Sequence, residues 1–154
     1  YYDVHICARK PSDGTTSPRG IRLPAALERA IQHEADARRR AWSAMTSELL
    51  DEAIRMRRAP GVAFVDGATG RRPVVAGTAL DVWEVVATWR TVEGDMELMA
   101  RSYPWLSEMQ LRAALGYYRL YPDEIDARIE REEAWTRDRV REELPYATPA
   151  DPTP

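Results

Sequence analysis

Residues 18–56 most limit what this chain can become, because they spell one short strand, two short amphipathic helices and nothing else. In Arg19-Gly20-Ile21-Arg22-Leu23-Pro24, Ile21 and Leu23 fall on one face and Gly20 and Arg22 on the other, the alternation of a half-buried strand. Pro24 suits the first position of a helix, and Leu27, Ala30, Ile31 and Ala35 follow at helical spacing. Arg38-Arg39-Arg40 stands at that helix's carboxyl end, where cations complement the helix dipole. A second helix is expected from near Ser43, whose hydroxyl can cap the first turn, with Met45 or Thr46, Leu49, Leu50, Ala53 and Ile54 as its buried stripe. A unit below about 40 residues buries too little apolar surface to offset its conformational entropy without a disulfide, a metal or an oligomer. Cys7 is the only cysteine and no cluster of metal ligands is visible, so completion by a second copy is expected.

The whole chain, 154 residues with 44% hydrophobic and 31% charged, has room for one domain or two small ones. The longest apolar stretch, around Val82 to Val86, is broken by Glu84 and falls far short of the roughly 18 residues of a membrane span. Tyr1-Tyr2-Asp3-Val4 lacks a basic region leading into an apolar run, so no targeting segment is expected there. With a single cysteine this suits a reducing, cytoplasmic setting. The net charge of −3 hides an asymmetry. Residues 1–60 hold 11 Lys/Arg against 8 Asp/Glu, and residues 61–154 hold 11 against 17, so the two parts are expected to meet different partners.

Residues 1–17 read as a period-two strand over Tyr1–Lys10 followed by a flexible link. Residues 18–58 form the strand-and-two-helix unit, and Ala59-Pro60-Gly61 ends it. Residues 61–121 change texture. Val62–Val65 and Arg72–Val75 are strand candidates around a longer hairpin loop, Asp66-Gly67-Ala68-Thr69-Gly70. Gly77 fits a turn that needs an unhindered backbone, and a helix with Val82, Val85, Val86 and Trp89 on one face follows. A short helix spans about Asp95–Ser102. The next begins at Ser107, where Ser107 and Gln110 form a capping box and Leu106 can staple onto Leu111; its inner face is Leu111, Ala114, Leu115 and Tyr118. Residues 122–154 read as a charged helix, with Ile125, Ile129, Val140 and Leu144 too sparse a stripe to be much buried alone, and then a proline-rich tail.

Little in the sequence points to catalysis. His5 and His33 have no neighbouring ligand set, and the carboxylates crowd onto solvated helical faces. Gly67-Ala68-Thr69-Gly70-Arg71-Arg72 lacks the lysine and the strand-to-helix context of a phosphate loop. No enzyme activity, cofactor or metal is expected.

Gly20-Ile21-Arg22-Leu23-Pro24 and Ser47-Glu48-Leu49-Leu50-Asp51-Glu52-Ala53 resemble the ribbon-helix-helix family of bacterial repressors and antitoxins. The resemblance implies that two chains pair their strands antiparallel, that the ribbon enters the major groove, and that the amino ends of the second helices hold phosphate. Mapped here, Pro18, Gly20 and Arg22 point outward, and only Arg22 can read a base edge, discriminating by roughly 1–3 kcal/mol. Arg19 would add a backbone contact, and the amides of Ser43, Ala44 and Met45 would form the anion site.

Gly70-Arg71-Arg72-Pro73-Val74-Val75-Ala76-Gly77-Thr78, Val82-Trp83, Tyr103-Pro104-Trp105-Leu106-Ser107 and Ala113-Ala114-Leu115 resemble the domain-of-unknown-function family four-three-three. Its members resemble VapB-type antitoxins, often encoded beside a PIN-type ribonuclease toxin, with a β-hairpin and a helix-turn-helix-like bundle. The residue after Gly77-Thr78 is Ala79 where the family has a base. Arg112 and Arg119 are the only basic residues on the Ser107 helix, which favours scaffold or dimer interface over DNA reading. In the carboxyl segment Trp135 and Tyr146 are candidate anchors, and Arg137, Arg139 and Arg141 could pair with the acidic site of a toxin.

The expected fold is mainly α with short β: a ribbon-helix-helix dimerisation segment, a β-hairpin with a helix-turn-helix-like helical domain, and a charged carboxyl-terminal helix. The expected function is that of a homodimeric antitoxin that binds operator DNA and neutralises a PIN-type toxin. The rival is a protein-interaction module that dimerises without touching DNA.

Overall fold

The computed structural model describes residues 20–67 and 70–134. Tyr1–Lys10, Arg19, and the expected toxin contacts Trp135, Arg137, Arg139, Arg141 and Tyr146 lie outside the described residues. The chain is mainly helical with one short antiparallel hairpin, and it divides into two units at Met45/Thr46.

In the first unit, Gly20–Pro24 runs as irregular chain into α1 (Ala25–Ala37). Pro24, at φ −56° and ψ 139°, sits one position outside the helix that was expected to include it, and its carbonyl accepts from the Glu28 amide at 3.1 Å. Arg39 adopts a left-handed φ of 52° just after α1 and lets the Arg40 amide return to Ala35 O at 2.9 Å. α2 (Trp42–Arg58) starts there and runs on into the second unit. Among the described residues of the first unit only Ile31, Ala35 and Met45 are buried, with Leu23 and Trp42 packed at their edge. Leu27 and Ala30, expected inside, are exposed. Three side chains are far too few to hold two helices by themselves.

The second unit is a different case. β1 (Val62–Gly67) and β2 (Gly70–Val75) pair from Val62 opposite Val75 to Gly67 opposite Gly70, so pairing continues into the stretch expected to be loop. The chain then turns at Gly77 (φ 79°), where Thr78 Oγ1 donates to Val75 O at 2.8 Å and accepts from the Leu80 amide at 3.1 Å. α3 (Val82–Thr91), α4 (Met96–Ser102), α5 (Glu108–Leu120) and α6 (Pro122–Glu133) complete the unit.

Val62, Val75, Val82, Val85, Val86, Met99, Leu106, Leu111, Ala114 and Leu115 share its core. α5 begins as its sequence requires: Ser107 Oγ accepts from the Gln110 amide at 3.3 Å, and the Gln110 side chain accepts from the Ser107 amide at 3.0 Å. The inward aromatic of α5 is Tyr117, fully buried, and Tyr118 is only half-buried. α6 extends the core past Tyr121, for Ile125 and Ile129 are 2% and 3% exposed. Its stripe is sparse, but α3 and α5 supply the rest of the apolar surface.

Gly61 joins α2 to β1 at φ 94°, and a Cβ there would meet Ala113 Cβ at 2.8 Å. Gly70 also has a positive φ, 115°, but opens onto free space. Gly61→Ala is therefore expected to cost more stability than Gly70→Ala, by about 1–3 kcal/mol, because only the first adds overpacking to backbone strain. Paired urea denaturation curves check this; equal midpoints would mean that the close approach of Gly61 to α5 is not maintained.

Candidate nucleic-acid interface

Of the residues expected to touch DNA, Gly20 and Arg22 are exposed on the irregular segment before α1. Ile21 beside them is 63% exposed, whereas Leu23 is half-buried against the Ile31 core. The segment thus has one anchored apolar residue and one open one, and no described strand pairs with it. Ser43 and Ala44 are exposed in the first turn of α2. Met45 does not fit the expected anion site. α2 begins at Trp42, one residue earlier than expected, so the Met45 amide donates to Ala41 O at 3.0 Å and its side chain is fully buried. The expected set therefore reduces to Ser43 and Ala44, at the second and third positions of the helix.

α2 is oriented against its own amphipathicity. Of the expected buried stripe Met45 is buried, but Leu49, Leu50 and Ile54 are 37%, 52% and 50% exposed and Ala53 is exposed as well; Met56 near its end is 44% exposed. The charged side makes the contacts within the second unit, to which α2 belongs from Thr46 onward, instead. Glu52 accepts two hydrogen bonds from the Arg71 guanidinium, at 2.6 and 2.9 Å, while Arg71 also donates to Phe64 O at 2.8 Å and to Asp66 at 3.2 Å. One turn on, Arg55 donates to the Tyr117 hydroxyl at 2.9 Å and to Glu124, and its guanidinium lies 4.7 Å from the centre of the Tyr121 ring. Tyr117 in turn donates to the other Glu124 oxygen at 3.1 Å. Arg55 Nε is an ion-pair neighbour of Asp51 at 2.7 Å, but without hydrogen-bonding geometry.

The protonation of this network follows from its setting. Burial lowers the affinity of Arg55 for its proton, but the hydrogen bonds to Tyr117 and Glu124 outweigh it and hold the guanidinium above its ordinary range. For Arg71 the Glu52 bonds act first, burial opposes them, and the net shift is upward. Burial pushes the Tyr117 phenol up, Glu124's charge adds to this, and Arg55 opposes it less strongly.

These contacts were not read from the sequence: Arg55 and Glu124 stand 69 residues apart. The available signal was the concentration of Glu48, Asp51, Glu52 and Arg55 on one side of a helix whose other side carries Leu49, Leu50, Ala53 and Ile54.

A second joint fastens the hairpin to α3. Asp81, 5% exposed, accepts from Arg72 through Oδ1 and from Trp83 Nε1 through Oδ2 at 3.0 Å. Its own amide donates to Glu84 at 2.8 Å, and its backbone bridges to Val74 beside β2. Among the described residues, no group of three or more His, Cys, Asp or Glu is placed to hold a metal ion. No described helix is long and apolar enough to cross a membrane.

Residues 66–118, from the end of β1 to near the end of α5, match the family model described as Protein of unknown function (DUF433). The match contains the Arg72, Asp81 and Trp83 joint and leaves α1, α2 and α6 outside. No curated protein and no solved structure matches the chain.

Tyr117 offers a direct test of the network. Its raised pKa means that its contribution to stability is complete below the unfolded value of about 10 and is lost as pH rises from there through the folded value. In absorbance titration at 295 nm one tyrosine should ionise after the others, and Tyr117→Phe should abolish that late step. Loss of one phenol from the main transition, with no late step in the wild type, would show that the hydroxyl is solvated.

Proposed function

We propose that the protein is a dimeric, DNA-binding antitoxin whose first unit grips operator DNA and whose carboxyl segment neutralises a PIN-type ribonuclease. Two observations support the reading: the apolar face of α2 is open, and the irregular segment Gly20–Leu23 has no strand partner among the described residues. In a ribbon-helix-helix dimer the two copies of Gly20–Leu23 pair antiparallel, and Ile21, Leu27, Leu49, Leu50 and Ile54 leave water together. Burying side chains of this size contributes about 1.5–3 kcal/mol each when complete.

Pairing turns Arg22 outward on both strands, where its fork can bond both acceptors of a guanine edge. Ser43 and Ala44 stand at the amino end of α2, and in this reading that helix end takes a backbone phosphate. Binding then rests mainly on phosphate neutralisation and weakens steeply with salt. The helix-turn-helix-like pair α4 and α5 serves as scaffold in this reading: Arg112 is already paired with Glu108 at 2.6 Å on its own helix. Toxin binding falls to residues 135–154, beyond α6. A cytoplasmic location belongs to the same reading.

The test has two separable arms. Leu50→Glu should convert the dimer to monomer in sedimentation and abolish DNA binding, while Arg22→Ala should leave the dimer intact and weaken binding to the protein's own upstream DNA by about 10- to 100-fold. A dimer that binds neither that DNA nor random duplex leaves the interaction module as the answer. Deleting residues 135–154 should remove protection from a co-expressed neighbouring toxin without unfolding the helical unit; retained protection would place the toxin surface elsewhere.

A further inference from the structure

We propose that the cleft between β2, the first turn of α3 and α6 binds a nucleotide, with its phosphate among four arginines and its base against Trp83. Arg71, Arg72, Arg128 and Arg131 line this cleft together with Trp83, and Glu124 is the one carboxylate facing it. Pro73 and Ile125 complete an apolar floor. Its volume of about 200 Å³ is below the roughly 300–1,000 Å³ of sites for larger ligands, which limits the enclosed part to a phosphate and one ring.

The charges favour an anion despite the acidic balance of residues 61–154. Glu124 is committed through both oxygens, to Arg55 and Tyr117. The carboxylates that hold the arginines, Glu52 and Asp66 for Arg71, Asp81 for Arg72 and Glu132 for Arg128, are not among the residues that line the cleft. They orient the guanidinium groups without occupying the space in front of them. Arg131 has no carboxylate partner among the described residues; its Nε donates to Ala127 O at 3.1 Å. Guanidinium forks match the oxygens of phosphate in pairs.

The aromatic wall separates a nucleotide from a bare phosphate or an acidic side chain. Trp83 is fixed by its indole bond to Asp81, the same buried carboxylate that fixes Arg72, so ring and cation are set by one anchor. Arg128 lies 5.9 Å from the centre of the Trp83 ring. A base entering beside the indole gains stacking with any sequence, and Arg128 can turn from the ring to the phosphate. The site belongs to the second unit and does not depend on pairing of the Gly20–Leu23 segment.

The shared chemistry is a phosphate joined to a base, from a free nucleotide or from the phosphorylated end of a strand. Calorimetric titrations of the full chain in an Arg22→Ala background, which removes ribbon contacts from the readout, should use adenosine monophosphate, a 5′-phosphorylated single-stranded hexanucleotide, the same strand with a 5′-hydroxyl, inorganic phosphate and a poly-glutamate peptide. Adenosine monophosphate should bind, and Arg131→Ala and Arg128→Lys should each weaken it about tenfold, while Arg112→Ala on a different face has no effect. Tighter binding of the 5′-phosphorylated strand than of the free nucleotide would assign the source to strand ends, and the reverse to free nucleotide. Binding of the peptide but not the nucleotides would overturn the proposal in favour of an acidic protein partner. It also fails if nothing binds, or if binding is indifferent to both variants whose circular dichroism matches wild type.

Discussion

The helical unit depends on a buried carboxylate. Asp81 is the one charged residue that is buried among those described, and an isolated charge there would be costly. It is compensated from two directions, by the Arg72 guanidinium from the hairpin and by the Trp83 indole from α3. Because both donors must be in place, the carboxylate ties the strand, the turn at Gly77 and the first turn of α3 into one arrangement. Replacing it by an apolar residue of similar size would leave Arg72 and the indole without their acceptor, which is why such a residue constrains geometry more than it adds stability.

Among the described residues the first unit has no equivalent. Three buried side chains, Ile31, Ala35 and Met45, join α1 to the start of α2, while Ile21 and Leu27 are exposed. α2 follows from competing demands on one helix. Its acidic and basic residues meet Arg71, Tyr117 and Glu124, which offer charge and hydrogen bonds, so its leucines cannot also face that way. A helix that uses its polar side for intrachain contacts leaves its apolar side in water, and this is the surface that the proposed dimer would cover.

Features specified by neighbouring residues were legible in the sequence. The Ser107–Gln110 box, the stop at Pro60-Gly61, the hairpin strands and the Val82, Val85, Val86 stripe each need only a few consecutive residues to declare themselves. What was missed depends on distant partners. Ile125 and Ile129 looked too sparse to bury because the surface that completes them comes from α3 and α5. The periodicity of α5 pointed to Tyr118, and the structure buries Tyr117 instead, with the Phe64 ring edge-on against it at 6.2 Å. The ribbon segment was read as a strand from its alternation, and in a single described chain it has no strand to join.

The preference for arginine over lysine unites these observations. Lys10 is the only lysine in the chain, so nearly all of its 22 basic residues are arginines. The contacts between elements exploit what a guanidinium alone provides: two parallel bonds from Arg71 to Glu52, and planar groups over the rings of Tyr121, Tyr118 and Trp83 from Arg55, Arg90 and Arg128. An ammonium, a compact and strongly hydrated point charge, gives up more solvation at such sites and cannot fork. A cationic side chain that stays charged when half-buried can therefore serve as a packing element. The cleft beside Trp83 extends the same property outward, since guanidinium groups already oriented by carboxylates behind them lose little freedom when an anion arrives in front.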